Sequence, residues 1–148
     1  MTVPVLTHHW PGLLRYLGSG DRPGIIPLGC SVGVPRSLAW ARKLRASELT
    51  PWAMVGKNAA DLTPDAWKAK YLDRLERHGV DKIRARFEDV YASYGERPIV
   101  LLCWEADPAR CHRSYFAEWW FEQTGERVPE THGLDPLSLL AALGECAL

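Results

Sequence analysis

Short apolar runs bounded by proline and glycine predict the strands of this chain. Ile99–Cys103 is apolar at every position, which is typical of a central strand covered on both faces. Residues 25–28 form a second run, and Pro27, which has no amide hydrogen for a ladder, favours an edge position or a distorted strand. Residues 52–55 are a third candidate strand. Residues 1–23, punctuated by proline and glycine, are expected to be loop-rich.

Two successive helices carry clear end signals. Thr63 is expected to cap the first, with Pro64 in its first turn and Gly79 just past its end. Asp81 is expected to cap the second, which ends before Gly95. The apolar stripe of the first helix consists of Trp67, Tyr71, Leu72 and Leu75.

Further helices are predicted over residues 37–46, 113–124 and 137–143. Few strands among several helices predict an α/β fold, with a small, mostly parallel sheet flanked by helices in a Rossmann-like layered arrangement. At 148 residues we expect a single domain over residues 1–148, with a C-terminal apolar helix at about 134–147. That helix packs on its own domain or forms a homodimer contact, and both remain open.

Composition narrows the function classes only slightly. The 18 basic and 18 acidic residues cancel, so bulk charge gives no support for non-specific binding to nucleic acid or an anionic membrane, although a local basic face stays open. No export signal and no apolar run near the ~20 residues of a membrane span are visible. We therefore expect a cytoplasmic protein without a membrane anchor, whose four cysteines are reduced.

The densest chemistry lies at the junction between the strand at 99–103 and the helix at 113–124. Residues 103–113 read C-W-E-A-D-P-A-R-C-H-R and combine two thiols, two carboxylates, an imidazole and two guanidinium groups. Ligand sites in open α/β proteins form where strands end and helices begin. We therefore predict the functional site here.

Four residues of this junction are candidate catalytic groups. Cys111 would lie at a helix N-terminus beside cations, which favours its thiolate. Cys103 is either a second reactive thiol or a small buried apolar residue. His112 could act as acid, base or metal ligand, and Glu105 as a base.

Four other residues are candidates for binding the ligand. Arg113 and the exposed amides of the first helical turn would hold a phosphate or carboxylate. Alternatively, Arg113 pairs with Glu105 or Asp107 and holds the loop closed. We expect further ligand contacts from other strand ends, through Ser31, Arg36 and Lys57.

Neither a metal site nor a phosphatase loop is indicated. The spacing C-x7-C-H is not a common zinc-finger pattern, and the loop lacks the glycines that wrap a phosphate. His8 and His9 are expected to be solvated. The aromatic residues of the helix at 113–124 are expected to pack in the core, although some could stack on a base or nucleoside. They are Tyr115, Phe116, Trp119, Trp120 and Phe121.

The segments I-V-L-L-C-W-E, C-H-R-S and A-E-W-W, with the upstream I-I-P-L-G-C-S-V-G-V-P-R, resemble the DUF488 family. The resemblance covers roughly residues 24–125. Its signature, a strand ending in Cys-x-Glu followed by Cys-His-Arg at a helix start, maps to Cys103, Glu105, Cys111, His112 and Arg113. It implies a cytoplasmic α/β protein suspected to be an enzyme, in a family without a settled reaction.

Three functions remain open at this point. The first is an enzyme or ligand-binding domain for a small anionic or nucleotide-like molecule. The second is a non-catalytic binding protein, associated with nucleic acid or holding a metal, with structural cysteines. The third is a thiol redox switch between Cys103 and Cys111. The sequence specifies neither substrate nor cofactor.

Overall fold

Three parallel strands form the sheet of this α/β protein. The computed structural model describes residues 2–12, 24–36, 43–105, 111–131 and 141. The strands are β1 (Val5–His9), β2 (Ile26–Gly29) and β3 (Ile99–Cys103). Beside them lie a short 3-10 helix (Gly56–Ala59) and the helices α1 (Pro64–His78), α2 (Val80–Ser93) and α3 (His112–Thr124). The predicted fold class is confirmed.

The strand order is β1-β3-β2, which places the predicted central strand in the middle. Ile99 pairs with Val5 on one side and with Ile26 on the other. Because the three strands are parallel and begin side by side at this row of paired residues, their carboxyl ends lie at the same edge of the sheet. Pro27 lies in β2 at an edge, where its missing donor costs least.

β1 is the strand that the sequence analysis missed, because residues 1–23 were expected to be loop-rich. Every residue of β1 is buried, including His8 and His9, so the expectation that these imidazoles are solvated is wrong. The polar Thr7 is accommodated because its amide and hydroxyl donate hydrogen bonds to Pro129 and Glu130. A strand with polar residues at its centre is not recognised from apolar patterning.

The helix ends follow their predicted signals closely. Thr63 caps α1 by accepting a hydrogen bond from the amide of Ala66, and Gly79 follows its last residue. The second helix starts two residues earlier than predicted, with Gly79 rather than Asp81 at its N-cap position. Gly125 ends α3 with a φ of 76°, a left-handed conformation that favours glycine.

Three other predicted elements have different outcomes. Residues 52–55 form turns rather than a strand, since Ala53 adopts a φ of 61° that breaks extended backbone. Residues 37–42 of the predicted helix 37–46 lie outside the described residues, and Arg45 forms a bridge to Gly29 instead of a helical turn. The predicted C-terminal helix lies outside the described residues except for Ala141.

An aromatic cluster fills the core between the helices. Phe116 is 1% exposed, and its ring lies 5.9 Å from that of Phe87 on α2 and 5.6 Å from that of Trp120. Trp119 is also buried, whereas Phe121 on the same helix is 43% exposed. The prediction of core packing is therefore confirmed for most of this helix. Within the described residues, no helix is both long and apolar enough to cross a membrane.

Candidate functional site

A cleft of about 770 Å³ opens at the carboxyl ends of β2 and β3. Its walls come from the residues after β2, the residues that end and follow β3, and the starts of α1 and α3. This is the position at which open α/β folds bind ligands. The polar residues that line it are Ser31, Cys103, Glu105 and His112. Three aromatic residues, Trp67, Trp104 and Tyr115, form much of the remaining wall.

Hydrogen bonds fix the wall that follows β2. The Ser31 hydroxyl accepts from the indole of Trp10 at 3.0 Å and donates to the carbonyl of Gly33 at 2.5 Å. The indole of Trp104 donates to the same Gly33 carbonyl at 2.8 Å, which joins this loop to the end of β3. Trp104 is nevertheless 46% exposed, so a large aromatic face lies open at the cleft.

Cys103 and Cys111 are joined by a disulfide, with their Cα atoms 7.4 Å apart. The expectation that all four cysteines are reduced is wrong for this pair. Cys103 ends β3 and Cys111 is the N-cap residue of α3, so the disulfide joins the end of the central strand to the start of this helix. Cys30 remains a thiol, and burial raises its pKa to about 12. These are the two cysteines that the redox-switch alternative named from the sequence.

His112 is buried and held in one orientation. Its Nε2 lies 2.5 Å from the carbonyl oxygen of Cys30, so this nitrogen carries the hydrogen and Nδ1 carries the lone pair. Nδ1 lies 3.8 Å from the sulfur of Cys111. Burial lowers the pKa of His112 to about 4, although its hydrogen bond to the Cys30 carbonyl opposes this shift. The ring is therefore a neutral acceptor at neutral pH.

Arg113 is 0% exposed and points into the protein. Its Nε donates to Glu130 at 2.8 Å, and its Nη1 donates to the sulfur of Cys103 at 3.0 Å and to the main-chain carbonyl of Glu105. Of the two partners in the loop-closing alternative, Glu105 is contacted through its main-chain carbonyl, and Asp107 lies outside the described residues. The predicted ligand contact of Arg113 stays a prediction.

The structure brings part of the predicted site together. Cys103, Glu105, His112 and Ser31 share the cleft, and Cys111 lies buried against His112. The two remaining predicted residues, Arg36 and Lys57, are exposed and do not line the cleft. Each follows a lining residue closely along the chain, Gly33 and Val55 respectively.

The protein-family model described as "Domain of unknown function DUF488" matches residues 38–120 of the chain. The chain belongs to the DUF488 family. The match covers β3, α1, α2 and the start of α3, and it includes all of residues 103–113. It begins later than the resemblance at 24–125 predicted, so Ser31 and Arg36 lie outside it. No curated protein and no solved structure matches the chain.

Sequence reasoning missed two members of the aromatic wall of this DUF488 site, Trp67 and Trp104. Trp67 was assigned only to the apolar stripe of α1, and Trp104 was given no role. Trp67 lies at the cleft because its indole donates to the Met54 carbonyl at 2.8 Å, which anchors α1 to the preceding loop. The position of Trp104, directly after a central strand, was the one available signal.

Donor atoms for a metal also converge in the DUF488 domain. The sulfurs of Cys103 and Cys111 and a ring nitrogen of His112 all lie within 4.8 Å of one another, and the three residues are buried. Thiolates and imidazoles are the ligands that zinc prefers. The sequence spacing predicted no metal site here, whereas the folded chain provides a compact donor set.

Proposed function

We propose that the cleft binds a small, planar, nucleotide-like molecule and that the protein acts on it with the groups at the cleft floor. The observation that carries this proposal is the aromatic wall, formed by Trp67, Trp104 and Tyr115, around the polar side chains at the ends of β2 and β3. Stacking between an aromatic side chain and a base contributes about 1–3 kcal/mol. The open face of Trp104 is the part of this wall best placed to receive a ring.

The charge of the cleft favours recognition of a base or nucleoside over recognition of a phosphate alone. Among the described lining residues, Glu105 is the only one with a formal charge at neutral pH, because His112 is neutral. A phosphate would therefore have to find its cations outside the lining, and the exposed Arg36 and Lys57, each within three residues of a lining residue, are the proposed contacts at the rim of the cleft. The anionic part of the predicted ligand is accordingly proposed to lie outside the aromatic wall.

The chemistry proposed for the floor uses Cys103, Glu105, Cys111 and His112. The carboxylate of Glu105 would accept a proton at the cleft, and the lone pair on Nδ1 of His112 faces Cys111. Once the disulfide is reduced, the guanidinium of Arg113 beside Cys103 favours the thiolate, which is the nucleophilic form. These features support a thiol-dependent enzyme more than a passive binding protein.

Replacing Trp104 with alanine is expected to weaken nucleoside binding by about 5- to 150-fold, as loss of one stacking partner implies. Adenosine, guanosine, cytidine, uridine and their 5′-monophosphates are the probes, and affinities are measured by isothermal titration calorimetry. Tyr94→Ala is the matched control, because Tyr94 is equally exposed at 46% but does not line the cleft.

Two outcomes would contradict this proposal: no binding of any of the eight probes to the folded protein, or equal losses in the Trp104 and Tyr94 variants. A monophosphate that binds more tightly than its nucleoside would place the phosphate at the rim. In that case Lys57→Ala is expected to remove the difference.

A disulfide between Cys103 and Cys111 supports a second candidate function, a thiol redox switch. Cys103 lines the cleft, so its state alters the surface that a ligand meets. Differential alkylation and mass spectrometry of oxidised and reduced samples are expected to show joint protection of these two cysteines after oxidation. Independent alkylation of both under oxidising conditions would exclude the switch.

A further inference from the structure

We propose that the reduced protein binds one zinc ion through the thiolates of Cys103 and Cys111 and the Nδ1 atom of His112. The donor atoms of these three residues lie within 4.8 Å of one another and are buried. Soft thiolates combined with an imidazole select zinc among the common divalent ions. The proposal does not depend on which molecule occupies the cleft.

The distance between Cys111 and His112 already suits a tetrahedral ion. With Zn–S near 2.3 Å and Zn–N near 2.0–2.1 Å, the sulfur and the nitrogen lie about 3.6 Å apart and the two sulfurs about 3.8 Å apart. The sulfur of Cys111 is 3.8 Å from Nδ1 of His112. The Cα atoms of the two cysteines are 7.4 Å apart, beyond the roughly 4.4–6.8 Å that disulfides usually span. On reduction the two sulfurs would move apart to the spacing that one zinc ion requires.

The environment of His112 is that of a metal ligand. A histidine bound to a metal almost always donates its other ring N–H to a carboxylate, a carbonyl or water, which fixes the ring and its tautomer. Here Nε2 lies 2.5 Å from the Cys30 carbonyl oxygen, and Nδ1 is directed to the sulfur of Cys111. The lone pair that a metal requires is thus presented to the other two donors.

The charges balance without an added residue. Two thiolates neutralise a divalent ion, so the buried site as a whole carries no net charge, as burial requires. Arg113 donates to the sulfur of Cys103 at 3.0 Å and would stabilise it as a ligand, while Glu130 balances the guanidinium. Arg113 therefore supports the site from outside the coordination sphere.

One coordination position of the proposed zinc faces the cleft. The donor group has three members among the described residues, and two of them, Cys103 and His112, line the cleft. Three protein ligands with a water in the fourth position is the arrangement of catalytic zinc rather than of closed structural sites.

Zinc binding and the disulfide exclude each other, because each uses both sulfurs. A dithiol reductant donates two electrons to the S–S bond, becomes a cyclic disulfide and leaves two protein thiols. Zinc then displaces the two thiol protons into solution. In the reverse direction the azo oxidant diamide takes two electrons from the thiolates and two protons from water, which forms the disulfide and a hydrazine and releases zinc.

Cobalt provides the direct test. The protein is reduced with dithiothreitol, desalted without oxygen and titrated with Co²⁺, in the absence of nucleoside. We expect one ion per chain, with the visible bands of tetrahedral cobalt and a thiolate charge-transfer band in the near ultraviolet, all abolished by added Zn²⁺. Because no nucleoside is present, a negative result would leave the cleft proposal standing.

Matched variants identify the ligands. Cys103→Ser and Cys111→Ser are each expected to weaken binding by more than the ~10–100-fold that changes outside the coordination sphere cause. Cys30 is a free thiol and is not one of the proposed ligands. Cys30→Ala is therefore expected to keep the full cobalt spectrum. Circular dichroism establishes that each variant is folded.

A measurement on the unaltered chain covers the case in which the serine variants do not fold. Zinc is expected to slow iodoacetamide alkylation of Cys103 and Cys111, mapped by mass spectrometry, and diamide is expected to release the ion to a chromophoric chelator. The proposal is overturned if the reduced, folded protein gives no tetrahedral cobalt spectrum. It is equally overturned if the double variant Cys103→Ser/Cys111→Ser gives the full spectrum, or if zinc stays bound after the disulfide has formed.

Discussion

Replacing Arg113 with alanine is expected to destabilise the protein by about 3–5 kcal/mol, the usual cost of breaking a buried ion pair by removing one partner. The side chain is 0% exposed, and its donors reach Glu130, the sulfur of Cys103 and the main chain of Glu105. The variant would remove the guanidinium beside the Glu130 carboxylate and its hydrogen bond to the main chain after β3. A lower urea midpoint at unchanged m-value measures the effect.

Two controls separate this role from others. Arg77→Ala removes an exposed arginine paired with Asp73 one helical turn away, and it is expected to cost about 0.5 kcal/mol or less. The double variant Glu130→Gln/Arg113→Met should lose less unfolding free energy than the sum of its two single variants, because both single changes break the same ion pair. If Arg113→Ala is as stable as the unaltered protein and instead loses ligand binding, the anion-binding role predicted from the sequence is correct.

Phe116→Ala is expected to cost about 3–5 kcal/mol of unfolding free energy, since it empties the centre of the aromatic cluster. Phe116 packs edge-on against Phe87 of α2 and lies beside Trp119 and Trp120 of its own helix. The surrounding rings are large and rigid, so the space left by the missing ring closes only in part. Thermal and urea unfolding measure the loss.

Phe121→Ala is the matched control, because it deletes the same ring from the same helix at a position that is 43% exposed. This variant is expected to lose less than about 1 kcal/mol of unfolding free energy, mostly from the lost contact between Phe121 and Arg127. Equal losses in the two variants would mean that α3 is stabilised along its whole surface rather than through the buried cluster.

Local signals predicted the helices and the central strand well. Thr63, Gly79 and Gly125 mark helix ends through their own conformations and hydrogen bonds, so no distant contact is needed to place them. Ile99–Cys103 is apolar at every position because helices and strands surround it. By contrast β1 was missed, because the burial of Thr7 depends on partners at residues 129–131, far along the chain.

The site was predicted by residue type and not by geometry. Cys103, Glu105 and His112 were all named from the sequence, and they do share one cleft. The sequence did not show that His112 is held by a carbonyl of Cys30, or that Arg113 turns inward to Glu130. These contacts join segments that are remote in the chain, and pattern reading does not reach them. The places of Trp67 and Trp104 in the aromatic wall were missed for the same reason.

The strand order also has a consequence for biosynthesis. β1 and β2 are not neighbours in the sheet, since each is hydrogen-bonded to β3. Among the described residues, neither ladder of the sheet can close until Ile99–Cys103 has left the ribosome, and until then β2 has only its bridge from Gly29 to Arg45. Contacts so distant in sequence slow folding, because the loops must be ordered before any pairing is gained. Nascent chains that stop before Ile99 are therefore expected to remain without a sheet and to be sensitive to proteases.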